Sequence, residues 1–170
     1  YFVKVNICLH RISASFMYKY LLFIINLSLL ISCQTSRNDY AVQLSQLDEI
    51  IEQEPKYVLD SLNRIKITHL PKAEKAYYFL LHAAAHDKNL IYSAEDSTLS
   101  FSRKYYESTS DHYNLARTLY YLSKLSQRQN KKEIAYDLLK QAELHLKKDT
   151  QTHPHLEGLI YYQLARLQNK

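Results

Sequence analysis

Three tyrosines recur along the chain at a fixed period of 42 residues, and each is followed four positions later by a basic or titratable side chain. The pairs are Tyr78 with His82, Tyr120 with Lys124, and Tyr162 with Arg166. Residues four apart share one face of a helix, so each pair predicts a phenol beside a cation. A ladder of such pairs suits an acidic or carboxylate-terminated peptide. Alternatively, the tyrosines pack between helices, and the basic side chains lie over the tyrosine rings. The residues alone leave both interpretations open.

Two histidines, His82 and His86, have a spacing that could hold a metal ion on one helix. The three residues between them are alanines, so the acid of a His-Glu-x-x-His protease helix is absent. The sequence also indicates no third ligand. A periplasmic metal-dependent hydrolase centred on this pair is therefore the alternative from a different class, and tightly bound zinc would favour it. The favoured interpretation has no enzymatic activity, no catalytic residue, no metal and no cofactor.

Glycine is almost missing from this chain of 170 residues, since only Gly158 is present. A phosphate-binding loop, a dinucleotide-binding turn and a nucleophile elbow all need glycines where the backbone bends sharply or approaches a ligand. The composition therefore excludes these sites. Leu, Ala, Lys, Gln and Glu are plentiful, which favours helix throughout.

The segment after the only methionine, Met17, has the features of a secretion signal. Lys19 supplies a positive charge, and residues 21–31 form a largely apolar run of eleven residues. This run is shorter than the ~20 residues needed to cross a bilayer. It closes with Leu-Ile-Ser-Cys, which resembles the bacterial lipobox. The resemblance implies that Cys33 is lipidated and begins the mature protein.

These features divide the chain into four parts. We predict a non-structural extension at 1–16, a lipoprotein signal peptide at 17–32, a lipid tether at 33–38 and a helical repeat domain at 39–170. The whole chain has a net charge of +5, but the part from Cys33 onward has 19 basic and 17 acidic residues, a net of about +2. That small excess argues against nucleic-acid binding.

Apolar stripes at helical spacing predict about seven helices and no sheet. Proline marks three helix starts, at Pro55, Pro71 and Pro154, and Ser110 or Asp111 is expected to cap the fifth helix. The first helix is expected to end near Glu54. The sixth is expected to bury five residues: Ile134, Ala135, Leu138, Leu139 and Ala142. The seventh has five apolar side chains that we expect to be half-exposed unless the chain continues beyond Lys170: Leu156, Leu159, Ile160, Leu164 and Leu167.

A fixed period of roughly 20–50 residues is typical of repeat solenoids. The fifth and sixth predicted helices resemble a tetratricopeptide repeat through Leu119, Leu122 and Ser123 in the first, and Ala135, Leu139 and Ala142 in the second. The seventh restarts the pattern with Tyr161, Leu164 and Ala165. The period of 42, against about 34 in the family, implies longer connections.

Residues 17–170 are more narrowly similar to the N-terminal part of tetratricopeptide lipoproteins common in Bacteroidetes. The likeness rests on the signal with its lipobox and on four short motifs: His86-Asp87-Lys88-Asn89, Asp96-Ser97, Tyr105-Tyr106 and Leu115-Ala116 ahead of Leu119-Tyr120-Tyr121-Leu122. It implies an all-α, right-handed helical-hairpin solenoid, anchored by lipid on the periplasmic side and more often in the outer membrane.

By the same resemblance, the protein binds another protein or a peptide in a concave groove lined by the first helix of each pair. The implied groove residues are Tyr78, His82, Arg117, Tyr120, Lys124, Gln127, Tyr162 and Arg166. The resemblance leaves a rival open: the same domain would serve as the sensor of a membrane-spanning regulator whose C-terminal part is not in this sequence.

Overall fold

The computed structural model of the chain describes residues 35–91 and 96–168, and in these ranges the protein is helical with no strand. The seven helices are α1 (Thr35–Glu49), α2 (Pro55–Leu62), α3 (Lys72–Lys88), α4 (Asp96–Glu107), α5 (His112–Arg128), α6 (Lys132–Leu146) and α7 (Pro154–Gln168), with a 3-10 turn at Ile67–His69. The prediction of an all-α protein with about seven helices is confirmed for the described residues. The predicted extension, the signal peptide and Cys33 lie outside them.

The chain divides into two compact units, residues 1–39 and 40–170. Of the first unit only 35–39 are described, as the start of α1. In the second unit each helix from α2 to α7 contacts the next one along the chain, and α3 also contacts α5. None of the described helices is long and apolar enough to span a membrane.

The helix starts follow local sequence chemistry. Pro55 begins α2, where its missing N–H costs nothing because the first N–H groups of a helix have no intrahelical partner. Asp111 caps α5, with its carboxylate accepting a hydrogen bond from the backbone N–H of Asn114 at 3.0 Å. The prediction of a cap at Ser110 or Asp111 is therefore confirmed at Asp111.

The C-terminal ends of α3 and α5 have the same backbone conformation. Leu90 after α3 and Asn130 after α5 have positive φ angles of 56° and 60°. In each case the next backbone N–H returns to a carbonyl in the last turn, from Ile91 to His86 and from Lys131 to Ser126, both at 2.9 Å. This is the Schellman arrangement, which pairs carbonyl groups that the end of a helix otherwise leaves open. Helices α3 and α5 therefore end in the same way.

The apolar side chains form two clusters that meet at α3. Leu80 of α3 belongs to the cluster shared with α4, α5, α6 and α7, whereas Leu81 belongs to the cluster shared with α1 and α2. Tyr77 and Tyr121 pack against both clusters. Because adjacent residues of a helix point about 100° apart, α3 is buried on two sides and joins the N-terminal helices to the rest.

Two expectations from the sequence were wrong in detail. Helix α1 ends at Glu49, earlier than expected, although Ile51 is still buried. In α6, Ile134 is 52% exposed, while the other four predicted positions are buried. Residues 135, 138, 139 and 142 follow the i, i+3, i+4, i+7 spacing of one helix face, and position 134 falls beside that face.

The expectation of a half-exposed apolar face on α7 is also overturned. Leu156, Ile160 and Leu164 are buried, and the remaining two leucines of the set are partly buried against the same cluster. The large apolar side chains that α7 exposes are Tyr161 and Tyr162. Helix α7 is therefore part of the core built by α5 and α6.

Candidate functional site

A depression of about 190 Å³ lies between α5 and α7, and its walls are basic and amide side chains. We call it the basic groove, defined by Lys124, Gln127, Arg128, Gln163 and Arg166. A larger cavity of about 390 Å³ shares Lys124 and Arg128 with it and extends to the histidines of α3. The two cavities therefore adjoin at these two side chains, and together we call them the recess.

One carboxylate stands among the three cations of the basic groove. Asp87, at the end of α3, accepts hydrogen bonds from Lys124 Nζ and from Arg128 Nη2, the latter at 2.5 Å. Arg166 adds a third cation from α7. The groove with Asp87 therefore has an excess of positive charge, which favours an anionic ligand.

Two buried amide groups in the groove have open hydrogen-bonding positions. Arg166 Nη2 donates to Gln127 Oε1 at 3.0 Å. Gln127 Nε2 and Gln163 Oε1 have no hydrogen-bond partner among the residues that the structure describes, and Gln163 is only 6% exposed. Buried polar atoms without partners cost about 1–3 kcal/mol each. Both atoms are buried, so a ligand reaches them only if the side chains that cover them shift. A ligand that then offers an acceptor to one amide and a donor to the other would remove that cost.

The periodic tyrosines occupy two different environments. Tyr78 and Tyr120 are both 3% exposed, whereas Tyr162 is 62% exposed. Lys124 Nζ lies 5.7 Å from the centre of the Tyr120 ring, and the His82 ring stacks on Tyr78. Burial raises the pKa of Tyr120 to about 12, assisted by the charge of Asp87. Tyr78 and Tyr120 are thus core residues beneath the bases, and Tyr162 is the ring of this series that a ligand can reach.

Arg117, expected beside the groove, is held inside the protein. It is 7% exposed and forms a bidentate ion pair with Asp48 of α1, with Nη1–Oδ2 and Nη2–Oδ1 distances of 2.7 and 2.5 Å. Tyr77 Oη donates to the same carboxylate at 2.6 Å. Burial opposes the charged form of Arg117, but the hydrogen bonds and charge of Asp48 outweigh it and hold its pKa above the ordinary value. Arg117 therefore ties α1 to α5, and this guanidinium is closed to a peptide.

The rings of the two histidines of α3 are in contact, with their planes inclined by 36°. Their ring centres are 4.3 Å apart, and His82 Nε2 donates to Asn63 Oδ1 at 3.2 Å. Burial, followed by the charge of His86, lowers the pKa of His82 to about 4. The neutral form is favoured by folding, so this group's contribution to stability falls as the pH drops from about 6.5 towards 4. Among the described residues, no three His, Cys, Asp or Glu side chains converge as a metal site would require.

Sequence reasoning did not find three of the residues that shape the recess: Asp87, Arg128 and Gln163. For Gln163 a signal was present, because the 42-residue period aligns it with Phe79 and Tyr121. An amide at a position that otherwise has an aromatic ring indicates a change of role. Asp87 and Arg128 have no such signal, since their pairing depends on how α3 and α5 pack.

Comparison of the chain with protein-family models gives no match, and neither does comparison with curated proteins or with solved structures. Evidence on the function of this protein therefore comes from its site geometry and its sequence motifs.

Proposed function

We propose that this protein is a tetratricopeptide-like repeat lipoprotein that binds acidic or carboxylate-terminated peptide segments in the basic groove and has no enzymatic activity. The observation that carries the proposal is the composition of the groove: three cations face one carboxylate, with an open amide donor and an open amide acceptor between them. A peptide with acidic groups has the complementary chemistry, because its carboxylates accept from cations and its backbone both donates and accepts.

Three features support the repeat architecture. Tyr78 and Tyr120, one period apart, are equally buried. The small side chains expected where the two helices of a repeat approach are fully buried in α5 and α6: Ser123, Ala135 and Ala142. Helices α3 and α5 contact each other and end in the same hydrogen-bonded form. Each feature is expected when similar helix pairs stack side by side.

The groove residues have separate roles in this proposal. Lys124 and Arg166 supply charge-assisted hydrogen bonds to carboxylates, and Lys124 keeps its position through Asp87. Gln127 Nε2 donates to a peptide carbonyl, and Gln163 Oε1 accepts from a peptide N–H. The exposed ring of Tyr162 offers an apolar contact beside them. His82 lies in the adjoining cavity and would contact a longer segment.

Removing the positive charges of Lys124 and Arg166 should weaken peptide binding without unfolding the protein. In the Lys124→Gln, Arg166→Gln double variant we expect the affinity for fluorescein-labelled Asp/Glu hexapeptides with free C-termini to fall by at least about tenfold, since each charge-assisted hydrogen bond contributes about 1.5–3 kcal/mol. Fluorescence anisotropy measures the affinity. Glutamine is chosen because a glutamate at 124 would face Asp87 and disturb the fold.

The matched control is the Lys147→Gln, Lys148→Gln variant, which removes the same charge from exposed positions just after α6, at the end of the α5–α6 hairpin away from the basic groove. Its affinity should stay within about twofold of the original protein, since distant surface charges are screened beyond about 10 Å at 0.1 M salt. An equal loss of peptide affinity in both variants would show that binding depends only on the net charge of the protein, and it would contradict the assignment of the site.

The location on the periplasmic side of a membrane, with the outer membrane favoured, rests on the signal and lipobox that end at Cys33. We expect the mature protein to begin at a lipid-modified Cys33 and to partition with membranes. The Cys33→Ala variant should lose this partitioning, which cell fractionation detects. Mass spectrometry that finds an unmodified peptide spanning Ser32 and Cys33 in the mature protein would contradict the anchor.

A further inference from the structure

A second pair of histidines meets at the end of the α5–α6 hairpin that lies away from the basic groove. His112 is the first residue of α5, and His145 lies in the last turn of α6. The twelve residues from His112 to Lys124 correspond to about 18 Å of helix, so the pair and the groove are separate. Both imidazoles are partly buried, and their Nδ1 atoms are 3.3 Å apart.

The geometry of this pair differs from that of a simple ring contact. The two ring planes are inclined by 34° with centres 5.5 Å apart, so the rings are not stacked, and their Nδ1 atoms approach each other directly. Two neutral imidazoles can share one proton at this separation, which is long beside the roughly 2.7–3.2 Å typical of N–H···O bonds in proteins. Two nitrogens bound to one tetrahedral Zn²⁺ at about 2.0–2.1 Å lie about 3.3–3.4 Å apart. The observed separation therefore also fits two donors to one metal ion.

We propose that His112 and His145 bind one divalent transition-metal ion of the Zn²⁺, Ni²⁺ or Cu²⁺ type through their Nδ1 atoms, with water in the remaining coordination positions. Neutral imidazole is a preferred ligand for these ions. No third His, Cys, Asp or Glu joins the pair within the described residues, so the protein supplies two donors. The ion would link the start of α5 to the end of α6 and fasten the end of this hairpin.

Side chains of the loop after α6 lie beside the pair. In this loop, Asp149 and His153 face each other, with His153 Nε2 3.6 Å from Asp149 Oδ1. A carboxylate and an imidazole therefore lie near the pair but are not part of it.

The α3 pair provides a matched comparison within the same chain. His82 and His86 have the spacing that sequence reasoning associates with metal binding, but their rings are in direct contact with centres 4.3 Å apart, and His82 Nε2 is engaged by Asn63. The structure therefore ranks the cross-helix pair above the pair that the sequence suggested.

The test is calorimetric titration of the full chain, prepared without a polyhistidine tag, with ZnCl₂. We expect one site, weakened by at least about tenfold in each of His112→Gln and His145→Gln, because loss of even an outer-shell partner costs about 10–100-fold in metal affinity. His82→Gln and the exposed His155→Gln should leave it unchanged. The nitrogen hyperfine pattern of bound Cu²⁺ in electron paramagnetic resonance should report two imidazoles in the original protein and one in each ligand variant.

Glutamine keeps a hydrogen bond to the remaining imidazole, and circular dichroism verifies that each variant is folded. A melting temperature raised by Zn²⁺ in the original protein, and not in the two ligand variants, would add independent support, since a ligand stabilises the state that it binds. Zinc binding that is equal in all four variants, that is lost in His82→Gln, or that is absent from the original protein would overturn the proposal.

Discussion

Replacing Arg117 by alanine should lower the free energy of unfolding by about 3–5 kcal/mol, because it leaves the Asp48 carboxylate, whose side chain is only 19% exposed, without its ion partner. The pair is bidentate, nearly enclosed, and joins α1 to α5 across 69 positions of sequence. Tyr77 would remain as a donor to Asp48, but a neutral hydroxyl does not balance the charge. Urea denaturation followed by circular dichroism measures the change.

The matched control is Arg103→Ala. Arg103 also pairs with a carboxylate, Glu107 at 2.7 Å, but on the exposed surface of one helix. Pairs of this kind contribute about 0.3–0.5 kcal/mol. Substituting both Asp48 and Arg117 by leucine and methionine should cost less than the sum of the two single changes, since no unpaired charge is then buried. Similar losses in Arg117→Ala and Arg103→Ala would show that the Asp48 pair is not buried as described.

The second large effect is expected at Leu139. This side chain is fully buried in the centre of α6, and Leu139→Ala should cost about 2–5 kcal/mol through lost burial and the cavity left behind. Ile134→Ala, five residues earlier on the same helix, should change stability by no more than about 0.5 kcal/mol because Ile134 is half-exposed. The same denaturation measurement compares them.

These two substitutions distinguish the observed orientation of α6 from the one expected from sequence, which placed both residues in the core. Equal destabilisation by Leu139→Ala and Ile134→Ala would support the orientation of α6 that the sequence predicted and contradict the observed one. The prediction needs no assumption about function, so it tests the fold alone.

The helices could be predicted because their signals are local. Proline at Pro55 and Pro154, a capping aspartate at Asp111 and stripes at helical spacing all act within one or two turns. The errors occurred where packing between helices decides the outcome. Whether Ile134 or its neighbour faces the core depends on the rotation of α6 against α5, and the burial of the α7 leucines depends on the cluster that α5 and α6 form.

The candidate site could be predicted only in part for the same reason. The 42-residue period selected Lys124 and Arg166, and the resemblance to tetratricopeptide pairs added Gln127; the structure brings these three together around one groove. The resemblance also added Arg117, whose partner lies on α1, far away in sequence. A spacing pattern describes one helix face at a time, and it contains no information on which acid from another helix reaches that face.

Contacts between helices also explain the two residue pairs that no sequence pattern indicated. Asp87 at the end of α3 holds Lys124 of α5, and His112 of α5 faces His145 of α6. Each contact joins residues more than thirty positions apart. The chemistry of this protein therefore depends on the junctions between its helices more than on any single motif.

The central claim, that acidic peptides bind in the basic groove, is tested most directly by the side-chain amide signals of the glutamines in a two-dimensional ¹H–¹⁵N NMR spectrum. On titration with an unlabelled Asp/Glu hexapeptide, the amide signals of Gln127 and Gln163 should shift together and saturate, because their open donor and acceptor become paired. The signals of Gln43 and Gln46, exposed on α1, should stay in place. Stationary signals from Gln127 and Gln163 at saturating peptide would contradict the account.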